Sequence, residues 1–300
     1  MKYLIIFFLF CSTSILAQKN KDTITQLLFE KVVNTLANDS MKGRATGSSE
    51  EIKSLEFINK EFQNLTHKQL SKQVFEAQLN DSTQIKGING YYFINNRAKK
   101  TIIIGAHYDH IGLGGPLSMS KKTDIVHNGA DDNASGVALL LGMSDFLIKQ
   151  KKDAVNYLIV FYSAHEIGLF GSEAFAKLVE QKKQRFKSIS YVVNFDMVGR
   201  LATDQKKLKC MTSPIFYSVL KDVNTQPFGF ALNITDEAKL TQLDTKVFYN
   251  KHIPCINFTT GIHNDYHATT DDAQYINYSG MIAIYNYLSE LIPKLGNWNN

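Results

Sequence analysis

The sequence predicts an α/β fold: a single domain on a mixed, mostly parallel and twisted β-sheet flanked by helices. Three observations carry that expectation. The run Ile102-Ile103-Ile104 is β-branched without polar interruption, the mark of a buried parallel strand. Similar apolar runs recur at Tyr157 to Ser163, Tyr191 to Phe195 and Ile253 to Phe258, with helix-spaced segments between them. Each run leads into His, Asp or Glu, and open α/β sheets carry their chemistry at the carboxyl ends of their strands.

In chain order, residues 1–17 come first. Lys2 precedes the apolar stretch Tyr3 to Phe10 and then small residues up to Ala17, the build of a secretory signal peptide. The stretch is too short for a stable membrane anchor, and Phe10 is too bulky for a usual lipidation site at Cys11. Residues 18–300 are expected to form the functional domain, in the periplasm or outside the cell. Thr23 to Ala37 carries Ile24, Leu27, Leu28, Val32 and Leu36 at helical spacing, with Asp22 or Thr23 as cap. A second amphipathic helix is expected from Ser49 to Leu65. Strands follow at Val74 to Leu79 and Gly90 to Asn95, the latter read as a hairpin with the Ile102 strand through Asn96 to Lys100. Helices are expected at Gly136 to Lys149, Ser172 to Val179, Ile215 to Val223 and Tyr278 to Leu291. Thr203 to Pro214 and Phe228 to Asp244 read as loops.

With a formal net charge of +5, the chain has only a mild basic excess, in short clusters such as Lys149, Lys151 and Lys152. A nucleic-acid surface needs a basic face with stacking aromatics, so nucleic acid is not an expected partner. Cys210 and Cys255 remain after export; they are read as buried or bridged to each other. Nothing fixes oligomeric state, and a monomer is the expectation.

The candidate site is the set of polar residues at the strand ends. His107, Glu166, Asp196 and His267 follow four strands, and Asp132 sits in the turn Gly129-Ala130-Asp131-Asp132-Asn133-Ala134-Ser135-Gly136. Two imidazoles and three carboxylates suit two divalent ions, one carboxylate bridging them. Zinc is the first expectation, with manganese and cobalt left open. Asp109 would hold the second ring nitrogen of His107. His110, His127, His252 and His263 are read as loop residues or as supports behind the ligands, with a surface place preferred over ligation.

These motifs, with Glu166-Ile167-Gly168-Leu169-Phe170-Gly171-Ser172, Asp196-Met197-Val198-Gly199-Arg200 and Asp265-Tyr266-His267, resemble the co-catalytic zinc aminopeptidases. That superfamily also holds glutamate carboxypeptidases and glutaminyl cyclases. The resemblance implies a zinc-aminopeptidase-like fold, peptide substrates and two Zn²⁺ per chain. His107 and Asp196 would bind one ion, Glu166 and His267 the other, and Asp132 both. It places Tyr266 where some members polarise the scissile carbonyl with a hydroxyl. It also implies that Asp131 and Asn133 are not ligands.

One position departs from the family. The residue before the Glu ligand is there a second Glu, the proton acceptor of the reaction; here it is His165. Imidazole has a suitable unperturbed pKa of about 6.5, which makes His165 the base of an active aminopeptidase. Two other readings stay open: His165 joins the metal shell while Asp131, His110 or another group moves the proton, or the chain binds peptides without cutting them. Glutaminyl cyclisation, an acyl transfer, is the alternative reaction.

Overall fold

The computed structural model describes residues 20–80, 82–120, 124–150, 154–204, 206–223, 225–236 and 242–297. The signal segment expected at residues 1–17 lies outside them. Among the described residues no helix is long and apolar enough to cross a membrane.

Eight strands form one sheet in the order β1-β2-β4-β3-β5-β8-β6-β7. They are β1 (Ser71–Asn80), β2 (Thr83–Ile94), β3 (Lys100–His107), β4 (Asn156–Tyr162), β5 (Ser188–Phe195), β6 (Lys207–Thr212), β7 (Ala231–Asp236) and β8 (Cys255–Thr259). The central strands β4, β3, β5 and β8 run parallel. They are the strands whose sequences are uninterrupted apolar runs, because both their faces are covered. Ile102 and Ile104 enter one buried cluster and Ile103 the other, as alternating side chains of a strand must.

Helices cover both faces. α1 (20–36), α2 (Ser49–Thr66), α3 (Gly136–Lys149) and α8 (Tyr278–Asn297) contribute Phe29, Ile58, Leu140 and Leu288 to the larger core. α4 (Phe170–Gln181) packs Phe175 and Val179 into the second. Ser48 caps α2 by accepting from Glu51 N–H at 3.0 Å, a capping-box spacing with Glu51 three residues on. Short α5 (Lys183–Phe186), α6 (Tyr217–Asp222) and α7 (Lys246–Tyr249) complete the described helices.

Two expectations need correction. β2 and β3 do not form a hairpin: β4 lies between them, antiparallel to β2 and parallel to β3. β3 already has parallel partners on both sides, which leaves no edge for β2. The segments read as loops after Thr203 and Phe228 contain β6 and β7, which extend the sheet past β8. Cys210 and Cys255, read as buried or bridged, are buried thiols with no disulfide between them.

Candidate metal centre

The carboxyl ends of β3, β4, β5 and β8 meet the turn at Gly129 in one buried cluster. Backbone geometry aims it. Ala164, Met197 and His267 adopt left-handed φ angles of 57°, 55° and 51°, uncommon outside glycine and concentrated at functional sites. Ala164 and Met197 adjoin His165 and Asp196 and turn the chain where β4 and β5 end. Gly171 opens α4 against β4: a Cβ there would lie 1.9 Å from the Ser163 carbonyl oxygen, so only glycine admits the close approach.

His107 is fully buried. Its Nδ1 lies 3.2 Å from the Asp109 carbonyl oxygen, which requires the proton on Nδ1. Nε2 then presents a lone pair to Asp132 Oδ1 at 3.3 Å and Asp196 Oδ1 at 3.5 Å. His267 repeats the arrangement. Its Nδ1 donates to the Leu117 carbonyl at 3.0 Å, and Nε2 faces Asp132 Oδ2 at 3.2 Å and Glu166 Oε2 at 3.1 Å. Both Nε2 atoms are buried without a hydrogen-bond partner among the described residues. A lone pair against two carboxylates is repulsive unless positive charge lies between them.

The distances fit a cation. Donors about 2.0–2.2 Å from a tetrahedral zinc lie roughly 3.3–3.6 Å from one another, close to these four contacts. The same carboxylates draw positive charge onto the two rings when no ion is bound. Burial opposes charge on His107, yet Asp132 and Asp196 carry its pKa well above 6.5. Burial likewise opposes charge on His267, and Asp132 and Glu166 bring it up to about 10. Burial and Asp132 raise Glu166, but His110 and His267 outweigh them and hold it at about 2. The chain's own His, Asp and Glu donors therefore suit metal binding, with Asp132 Oδ1 facing His107 and Oδ2 facing His267. His107, His165 and Asp196 form one group that could hold a metal, and His110, Asp132 and Glu166 another.

Surrounding hydrogen bonds fix these groups. The Asp109 carboxylate stands 3.8 Å from His107 Nδ1; its bonds go to Thr46 Oγ1, His165 N–H and Glu166 N–H at 2.9, 3.1 and 3.2 Å. Asp109 thus orients His107 through its carbonyl and the His165-Glu166 pair through its carboxylate. Asn133 joins β3 to β5: its Nδ2 donates to the His107 and Phe195 carbonyls, and its Oδ1 accepts from Gly136 and Met197 N–H. Asp131 accepts from Gly199 N–H at 2.6 Å and pairs with His263 at 3.1 Å. Asp271 accepts from the amides of both Asp131 and Asp132.

The residue at the departing position, His165, stacks on His107 with ring centroids 3.8 Å apart and planes at 7°. Its Nδ1 lies 2.9 Å from Asp244 Oδ2, while its Nε2 makes no hydrogen bond among the described residues. Burial and His107 push His165 down, but Asp244 and Asp196 push harder, to about 9. Tyr266 stacks on His267 at 4.0 Å; burial and the carboxylates of Asp132, Glu166 and Asp196 raise its hydroxyl pKa, keeping it a donor. A cleft of about 440 Å³ opens beside Asp132, His165, Asp196 and Tyr266.

Residues 91–292 match the model of Peptidase family M28. The chain belongs to that family. Leucine aminopeptidase 1 of Ajellomyces capsulatus is 33% identical to this M28 chain over 111 residues, which is 35% of this chain and 26% of the relative. Leucine aminopeptidase 1 of Pyrenophora tritici-repentis is 34% identical over the same shares. The matched stretch therefore spans about a quarter of these relatives' length. Among solved structures, Fimbriiglobus ruber glutaminyl cyclase superposes with a TM-score of 0.74 at 18% identity, covering 89% of this chain and 94% of the other. A leucine aminopeptidase precursor from Bacteroides thetaiotaomicron gives 0.73 at 17%, covering 90% and 96%. At such identities the likeness is one of fold.

Sequence reasoning missed several residues of this M28 site. His110, read as a loop residue or a support behind the ligands, is buried with Nδ1 3.0 Å from Glu166 Oε1; its place three residues after His107 is the signal for a closer role. His127 is also buried, paired to Ser118 Oγ and the Ile125 carbonyl at 2.8 Å each. His263 is half-buried against Asp131, while His252 is exposed as expected. Asp244 lies 79 residues from His165, and no local pattern marks it. Arg44 is fully buried and donates to the carbonyls of Leu36, Tyr108, Asn128 and Gly129. It thereby ties the segment after His107 to the turn that carries Asp132.

Proposed function

We propose that this chain is an exported, zinc-dependent aminopeptidase that removes N-terminal residues from peptides, with His165 as general base. The observation that supports it most is the pair of buried imidazole lone pairs, on His107 and His267, each facing two carboxylates beside His165. Export rests on the sequence of residues 1–17, and leads to the periplasm or the medium.

His107, Asp132 and Asp196 would hold one divalent ion and Asp132, Glu166 and His267 the other. Ions bound there would supply Lewis acidity toward the scissile carbonyl and an attacking water. The remaining work belongs to side chains. Asp244 keeps the His165 proton on Nδ1, so Nε2 is left to take the water's proton and return it to the departing amine. Positive charge introduced nearby lowers the His165 pKa from about 9 toward the neutral range where a base is effective. Asp244 then stabilises the imidazolium as it forms. The Tyr266 hydroxyl donates to the oxygen on which negative charge develops. Asp196 borders the cleft where the substrate's free α-amino group would sit.

The test is metal counting alongside release of an aminoacyl chromophore by the purified chain. Two zinc ions per chain, activity lost on chelation and restored by zinc are expected. Full activity after thorough chelation would overturn the mechanism, and one ion per chain would favour glutaminyl cyclisation instead.

A further inference from the structure

We propose that the cleft beside the metal centre is a subsite for the acidic side chain of the substrate's N-terminal residue, with Lys209 as its charge partner. The proposal rests on the aminopeptidase reading and deepens it by naming a substrate class.

The far floor of the cleft is the open face of β8, β6 and β7. Register places Thr259, Lys209 and Asn233 in one cross-strand row, and Asn257, Met211 and Thr235 in the next. All six line the cleft. The intervening Leu208 and Cys210 point the other way, into the main core. Five of these six side chains are polar, Met211 being the exception, and the same alternation buries the back of the strands.

That floor carries a solvent-exposed cation. Lys209 has no ion-pair partner among the described residues. Its chain end lies across Gly261 in the cleft wall: a Cβ built on Gly261 would meet Lys209 Nζ at 2.3 Å and Cε at 2.9 Å. Asn257 is 1% exposed, its Oδ1 accepts from Thr245 Oγ1, and its Nδ2 is buried without a partner. That atom is closed to solvent, which leaves Lys209 as the charged donor of the floor. The lining carboxylates, Asp132 and Asp196, belong to the metal end. A substrate spanning the cleft thus meets acidic groups at its amine end and the Lys209 cation among Asn233, Thr235 and Thr259 at its side-chain end. Glutamate or aspartate matches that polarity, and the walls of Met197, Leu243 and Ile262 suit their methylenes.

The experiment compares glutamyl, leucyl and lysyl p-nitroanilides with the zinc-loaded chain, for wild type, Lys209→Met and Lys209→Glu. Calorimetric binding of glutamate and leucine α-hydroxamates runs alongside. Wild type is expected to prefer the glutamyl substrate in kcat/KM. The Glu-to-Leu ratio is expected to fall about tenfold in Lys209→Met, as for loss of one charge-assisted hydrogen bond. In Lys209→Glu it falls further and the lysyl substrate gains. A leucyl preference in wild type, with a ratio indifferent to both variants, would overturn the subsite. If nothing turns over, the hydroxamates decide. Tighter glutamate binding that Lys209→Met removes supports the subsite while the peptidase reading fails; equal binding overturns the subsite as well.

Discussion

His165 Nδ1 and Asp244 Oδ2 are 2.9 Å apart across 79 residues of chain, with the Asp244 side chain fully buried. The pair gives an imidazole at the position before Glu166 a fixed tautomer. Asp244→Asn can turn its amide N–H toward Nδ1 and move the ring proton to Nε2. We therefore expect kcat to fall by about 10²-fold or more, with KM changed far less and two zinc ions still bound. A loss under about threefold would make the contact merely structural. Loss of an ion would instead make Asp244 a support of the metal shell.

Metal binding tests the lone-pair argument separately from turnover. Zinc is expected to raise the thermal midpoint, the stabilisation reaching about 4 kcal/mol when free zinc is a thousandfold above Kd. His107→Ala removes one donor from the Asp132–Asp196 side and is expected to leave one ion per chain. Unchanged stoichiometry in that variant would mean that His107 holds no metal.

Arg44 offers a stability prediction. Its guanidinium is fully buried against four backbone carbonyls, and burial, opposed by Asp132 and Asp109, lowers its pKa to about 10. Arg44→Ala leaves those carbonyls without their donor and is expected to cost at least about 3 kcal/mol in denaturant unfolding. Lysine lacks the planar fork and is expected to restore less than half of that. A cost below about 1 kcal/mol would show that water replaces the guanidinium.

The pH dependence of stability is expected to pass through Glu51. Burial and the nearby Asp109 raise its carboxyl from 4.5 to about 8, although Ser163 and Gly47 donate hydrogen bonds to it. The folded chain therefore keeps a proton that the unfolded chain releases near 4.5. The stabilisation is full below that value and is lost as pH rises through 8. Glu51→Gln has no such proton to lose. It is expected to match wild type at pH 5 and exceed it at pH 8.5, by on the order of 3 kcal/mol. Parallel melting curves at both pH values would contradict this.

The central strands were legible because full burial on both faces writes an uninterrupted apolar run, and their polar endings stood out against it. β6 and β7 were not: Lys207-Leu208-Lys209 and Ala231-Leu232-Asn233 are half exposed and carry the polarity of loops. The place of β4 between β2 and β3 depends on a pairing across some sixty residues, which no local pattern encodes. Within the site, His107, Asp132, Glu166, Asp196 and His267 were nominated as a set, and the structure brings all five together. His110 carries the same signal, while Asp244 and Arg44 act through contacts that exist only once the sheet has formed.

The central claim is that His165 does the proton transfer usually assigned to a glutamate. Its most direct test is aminoacyl p-nitroanilide turnover by the zinc-loaded chain, comparing wild type with His165→Ala and His165→Glu at equal metal content. The account predicts an active wild type and a loss of about 10²–10⁴-fold in His165→Ala. An inert wild type that gains activity in His165→Glu would contradict it, leaving a family M28 fold that has given up aminopeptidase hydrolysis.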